Sequence, residues 1–539
     1  MPLAMPFVRL LCPSLLLLAL LLQGGAPRAE ARPPVPGAEE AYRRGLALQQ
    51  ERRTLEALEQ YGEALRLDPF HAKAHWEIGW SHWVLGQWPE VVRHWELAAG
   101  LGLEEPELED YLRQARDQLE GKLEPLVRAP IGAYAEAPAT ADRAALRLEL
   151  IARFQHYDPA PADPADRFDP YVFSPKSVHF LGGKAYVNAL EGFATLVYDP
   201  AALERRAVIR HVFDAGAARL FAGDESGEPW ARFPDEVPPE RRDRFSGKPV
   251  EFAETHGGRY LWVSYYRRDF DQNGVMPSAV AVIDTARDAI VRVIATGPIP
   301  KFLAASPDGR WLAVVHWGDN TVGLIDVSGA APQAFRRAAL ITVGRRLALE
   351  GAQEVDRDRY CGFCLRGAVF TADSRYLLVG RMGGGGIAVL DVAAARALGT
   401  VQGMQPTPRQ LVLSPDGTWL YAGSNTSGYV SLYRAADLVN AALQGRQTLA
   451  PLREAHTGSG TRTIALSPDG SLVFAAVNNG SKLVVLDGVT LAKRIEIAAD
   501  SYPVGLAISP DGAQVWVTSQ GRKLRGGNSV SVYRLTRTP

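Results

Sequence analysis

The tetrapeptide Ser-Pro-Asp-Gly occurs at 306–309, 414–417, 467–470 and 509–512. Each copy lies between two short apolar runs, as in Leu411-Val412-Leu413 before the turn and Trp419-Leu420-Tyr421-Ala422 after it. Proline fixes φ, aspartate bonds its own backbone, and glycine accepts positive φ. Each copy therefore predicts a tight turn joining two strands of a β-hairpin. Degenerate copies share the frame: Leu181-Gly182-Gly183, Thr255-His256-Gly257-Gly258 and Thr371-Ala372-Asp373-Ser374.

The fourth turn residue thus falls at 183, 258, 309, 374, 417, 470 and 512. The shortest interval, about 42 residues, suits one four-stranded propeller blade, the rest being loop. Third strands follow at Val280–Asp284, Val322–Asp326, Ile387–Asp391 and Leu483–Asp487. The last unit ends after its third strand, Ser529–Tyr533, so another segment has to cover that edge. The residues just before the first inner strand, Pro170–Ser174, are expected to supply it. Turn, apolar-aromatic strand and Val-x-Val-Ile-Asp together resemble the YVTN-repeat seven-bladed β-propellers, many of them secreted or periplasmic. The resemblance covers 169–539; it implies the fold and says little about chemistry.

Residues 38–120 carry a different repeat. Gly45, Ala57, Tyr61, Ala64 and Pro69 occupy positions 8, 20, 24, 27 and 32 of a 34-residue frame beginning at 38. Gly79, Trp95 and Ala98 repeat positions 8, 24 and 27 in the frame 72–105. This resembles tetratricopeptide (TPR) repeats and implies helical hairpins that dock a protein or peptide. His75, His82 and His94 cluster there with Trp76, Trp80, Trp83 and Trp88. Helix packing is the preferred reading of that cluster, with a metal site or an aromatic cage as the alternatives. Residues 121–168 read as a linker with one helix around 140–157. The expected architecture is multidomain, α plus all-β: TPR-like hairpins, then a seven-bladed propeller closed by an N-terminal strand.

The first 31 residues read as a signal peptide. Arg9 precedes the apolar run Leu10–Leu22, and Ala29-Glu30-Ala31 offers a small-x-small cleavage site. Fifty arginines against nine lysines suggest a GC-rich bacterial genome, so the expected location is secreted or periplasmic. No membrane span is expected after cleavage. Lys+Arg 59 against Asp+Glu 60 leaves a net charge of −1, so no overall field attracts nucleic acid.

Four features bear on chemistry. Five residues before the first turn residue stand Lys301, Arg366, Arg409 and Arg462, one at the entrance of each of four consecutive inner strands. Inner strands line the channel, so these cations predict an anion-binding mouth; capping of local carbonyls is the competing reading. Cys361 and Cys364 lie in an insertion, Arg345 to Leu365, and in an oxidising compartment predict a disulfide. A redox pair or a metal half-site are the alternatives, and Leu365 stands where haem attachment requires histidine. Asp269, Asp271 and Asn273 copy part of a calcium loop, but Val280 replaces its bidentate glutamate. Finally, His316, Trp317, Asp319, Asn320, Arg381, Asn425, Asn478, Asn479 and Lys523 fall in loops on the same face.

No nucleotide, Walker or zinc-protease motif is present, and no cofactor is expected. The first functional reading is a non-enzymatic scaffold. Its helical module would dock an envelope protein or peptide, and its propeller face would take an anionic ligand or peptide. The alternative, implied by the resemblance, is a lactone-opening hydrolase or lyase using His316 and Arg409.

Overall fold

The structure, a computed structural model, describes residues 35–119, 131–221 and 245–538 apart from 52, 85–87, 106, 141–142, 157, 159–160, 214, 269–270, 272, 350–354 and 522–525. The proposed signal segment lies outside the described residues. The chain forms two compact units, Met1–Leu123 and Glu124–Pro539.

Five helices are described in the first unit: α1 (Pro36–Gln50), α2 (Thr54–Leu67), α3 (Ala72–Val84), α4 (Trp88–Gly100) and α5 (Leu108–Leu119). α1 packs on α2, α3 on α4, and α5 on α4. The small residues of the repeat explain the close approach. A Cβ on Gly45 would lie 2.4 Å from the Tyr61 ring, and one on Gly79 would lie 2.0 Å from Trp95. Ala57, Tyr61, Ala64 and Ala74 are fully buried in the core of this unit. Among the described residues no helix is long and apolar enough to cross a membrane.

The second unit is a seven-bladed β-propeller. It opens with β1 (Tyr134–Ala137), β2 (Ala145–Gln155) and β3 (Asp166–Phe168). Blade one runs from β4 (Pro175–Leu181) to β7 (Glu204–Arg210). A short β8 (Val212–Phe213) precedes blade two, which runs from β9 (Phe245–Thr255) to β12 (Ala289–Thr296). Blade three runs from β13 (Pro300–Ala305) to β16 (Arg336–Thr342), and blade four from β17 (Leu365–Phe370) to β20 (Arg396–Val401). Blade five runs from β21 (Pro408–Leu413) to β24 (Arg453–His456), with α6 (Ala435–Leu443) inserted before its last strand. Blade six runs from β25 (Thr461–Leu466) to β28 (Lys493–Ala498). Blade seven holds β29 (Pro503–Ile508), β30 (Gln514–Ser519) and β31 (Ser529–Thr538). Each blade is an antiparallel sheet. The inner strands touch in the order β4, β9, β13, β17, β21, β25, β29, and β29 returns to β4.

The turns behave as their chemistry dictates. Ser306 Oγ accepts the Trp311 amide at 2.8 Å, and Asp308 accepts the Arg310 amide at 3.0 Å. Ser414, Ser467 and Ser509 do the same for Trp419, Leu472 and Gln514. Gly309, with φ 74°, takes the left-handed position that a β-carbon would strain.

The structure corrects two readings of 121–174. The stretch around 140–157 contains a strand, not a helix. β2 pairs with β31 from Ala145↔Thr538 to Gln155↔Ser529 and occupies the outer position of blade seven. Residues 170–174 do not take that position. Helix-forming Leu, Arg, Glu and Ala fill β2, yet its apolar alternation Leu146, Leu148, Leu150 suits a sheet, and pairing overrides propensity. On this strand Arg153 forms a fully buried fork to Asp166, at 2.7 and 2.9 Å. Its Nη1 lies 3.6 Å from Asp500, also fully buried, on the approach to β29. Asp500 in turn accepts the Ser529 hydroxyl at 2.6 Å.

Candidate functional site

At the entrance of each inner strand the pairing register slips. The slip falls between Pro175 and Val178, Pro300 and Phe302, Leu365 and Ala368, Pro408 and Gln410, Thr461 and Thr463, and Pro503 and Gly505. Bulged residues leave the ladder, and the backbone re-aims their side chains. Lys176, Lys301, Arg366, Arg409, Arg462 and Val504 occupy this position in six blades. In blade two the slip holds Val250 and Glu251.

The side chains converge. Arg366 Nη2 donates to Glu251 Oε1 at 2.5 Å. This bond joins blade four to blade two, so both side chains lie on the axial side of the blade between them, where Phe302 lies beneath the guanidinium. Burial, then the fields of Arg462, Arg409 and Arg366, push the Lys176 ammonium well below its usual range, against the opposing pull of Glu251. Burial, then Arg462 and Arg366, act in the same direction on Arg409. Arg462 is lowered chiefly by burial, partly offset by Tyr502. Guanidinium groups remain protonated under such pressure.

Arg366 is 3% exposed and Arg409 8%. Buried Nε and Nη1 of Arg366, and Nε of Arg462, have no hydrogen-bond partner among the described residues. Unsatisfied buried donors cost about 1–3 kcal/mol each, more when charged. Four cations thus face one carboxylate, Glu251, with donors left over.

Lys301 belongs to the same ring but is occupied. Its ammonium binds the Asp358 carboxylate and lies 3.9 Å from the Trp317 ring centre. Burial pulls it down to about 7 despite Asp358. Asp358 also accepts the Tyr266 hydroxyl at 2.5 Å, and its backbone carbonyl accepts Trp317 Nε1 at 2.9 Å. The loop carrying Asp358 contains Cys361 and Cys364, whose sulfurs lie at disulfide distance, 1.99 Å. Further contacts hold this loop to blades three and four. The Phe363 amide donates to Asn320 at 2.8 Å, and the Arg381 guanidinium stacks 3.8 Å from the Phe363 ring.

Asn425 Nδ2 and Asn478 Oδ1 are buried with no hydrogen-bond partner among the described residues, whereas the histidine and aspartate candidates are tied into the scaffold. His316 is buried: Nε2 accepts the Gly297 amide at 3.1 Å, so Nδ1 carries the proton and donates to Thr321 at 2.8 Å. Burial pushes its pKa down to about 4, and both nitrogens are used, so His316 itself is not free to act as a base. Asp319 is buried against Arg346 at 3.2 Å. Asp271 accepts the amides of Val275 and Met276, a turn role; Asp269 and Lys523 lie outside the described residues.

No protein-family model and no curated protein sequence matches the chain. Among solved structures it is similar to hydrazine synthase of Kuenenia stuttgartiensis: 14% identity over 70% of this chain and 99% of that one, TM-score 0.46. It is also similar to the Swd1 β-propeller domain of Myceliophteria thermophila: 14% identity, 68% and 97% coverage, TM-score 0.47. Neither likeness bears on this chain's chemistry, and the seven-bladed ring rests on its own strand pairing.

Proposed function

We propose that the protein is a non-enzymatic binding scaffold of the bacterial envelope or exterior. On this reading the propeller belongs with the YVTN-repeat type, its channel mouth holds an anionic ligand or acidic peptide, and TPR-like hairpins dock a partner protein. The supporting observation is the buried set Lys176, Arg366, Arg409 and Arg462, opposed by the Glu251 carboxylate and, at Arg409 and Arg462, by Tyr502. A carboxylate or phosphate would satisfy the leftover guanidinium donors. The repeat spacing and the packing of Gly45 and Gly79 support the helical half.

The test is calorimetric titration of the full chain with phosphate, succinate and a short glutamate-rich peptide. At least one should bind, and Arg409→Gln should weaken binding by more than about tenfold. Absence of binding by all three at millimolar concentration, or binding indifferent to Arg409→Gln and to Lys176→Met, refutes the reading.

A further inference from the structure

The helical unit holds a polar cluster that helix packing does not require. His82 on α3, with Glu90 and His94 one turn apart on α4, brings three ligand atoms within 4.8 Å of one another. His94 is buried; His82 and Glu90 are half-buried, so solvent reaches the group.

Hydrogen bonds set the orientation of His94. Arg93 Nη2 donates to His94 Nε2 at 2.9 Å, so that nitrogen presents a lone pair and the ring proton sits on Nδ1. Nδ1 lies 2.9 Å from His75 Nδ1, and His75 Nε2 donates onward to the Pro69 carbonyl at 3.2 Å. Metal-bound histidines are held in this way, with the second nitrogen donating to the protein and the first facing the ion.

Arg93 itself occupies a telling position. Its Nη2 is 2.6 Å from Glu90 Oε2 as well as 2.9 Å from His94 Nε2. Those two acceptors are 4.0 Å apart, within the reach of two bonds of about 2.1 Å to one ion. A cationic nitrogen thus stands where a divalent ion would touch both ligands. The Arg93 side chain is 60% exposed and has room to swing away.

We propose that His82, Glu90 and His94 form a transition-metal site, best suited to zinc(II), in which the Arg93 guanidinium holds the place of the ion when metal is absent. Two imidazoles and one carboxylate match a borderline ion, with water completing the tetrahedron.

Chelator-treated full-length protein is titrated with zinc(II) by calorimetry, and cobalt(II) is added separately to read its absorption spectrum. One ion should bind per chain, with a tetrahedral cobalt band. Glu90→Gln, nearly isosteric, and His82→Ala should each weaken binding by more than about tenfold at unchanged helical circular dichroism. Arg93→Gln should tighten it, because a competing cation is removed. Failure to bind stoichiometric zinc, affinity unmoved by Glu90→Gln, or weaker binding in Arg93→Gln overturns the proposal.

Discussion

Arg153 offers a direct test of whether the pairing of β2 with β31 holds the propeller together. Its guanidinium is 1% exposed, as is Asp166, and Asp500 is 0% exposed. Arg153→Met keeps the stem and removes the charge, stripping two buried carboxylates of this guanidinium. Breaking a buried pair in this manner costs about 3–5 kcal/mol. With an unfolding entropy of about 2.1 cal/mol/K per residue, the unit Glu124–Pro539 should melt about 3–6 °C lower. Differential scanning calorimetry of the propeller transition reads this. Arg153→Lys should fall between, since it keeps charge and loses the fork. Adding Asp166→Leu to Arg153→Met should recover part of the loss, because one stranded charge is gone. A melting temperature for Arg153→Met within about 1 °C of the parent would show that the seam contributes little and would refute the reasoning.

Two further tests concern packing and protonation. Gly79→Ala drives a β-carbon into Trp95 and should cost the helical unit about 1–3 kcal/mol, whereas Gly62→Ala, in open space on α2, should add about 0.5–1 kcal/mol; thermal melts followed at a helical wavelength compare them. His211 and His316 are held by burial at about 3 and about 4, below the roughly 6.5 of an unfolded chain. Their contribution is therefore complete above about pH 6.5 and shrinks as pH falls toward 4, by up to about 1.4 kcal/mol per pH unit each. Melting temperature should drop over that window, and His316→Asn should flatten the drop; a rise on acidification would contradict the assignment.

The blades were legible because turn chemistry is local: Pro-Asp-Gly reports a hairpin wherever it stands. The basic position was legible for the same reason, since it keeps a fixed distance from the turn. Lys176 escaped because blade one has the degenerate turn Leu181-Gly182-Gly183, and counting eight residues back from Gly183, the interval that links the fourth turn residue to the cation in the other blades, lands on Pro175. The pairs Pro175-Lys176, Pro300-Lys301 and Pro408-Arg409 carried the signal that aligns it. Glu251 and Asp358 were hidden for a different reason. Each meets its cation from a separate part of the ring, and no local pattern encodes such a meeting. β2 was misread because helix propensity is a property of the residues, while strand pairing is a property of the neighbour.

The pairing of Ala145 with Thr538 has a consequence for how the molecule is made. Synthesis delivers β2 before the blades and β31 after every other blade strand, so an unsatisfied edge must wait through the production of nearly the whole ring. During that interval the nascent protein offers a sticky margin to any other extended strand. Truncation by a dozen C-terminal residues would make the wait permanent and turn a self-contained ring into a link for joining copies.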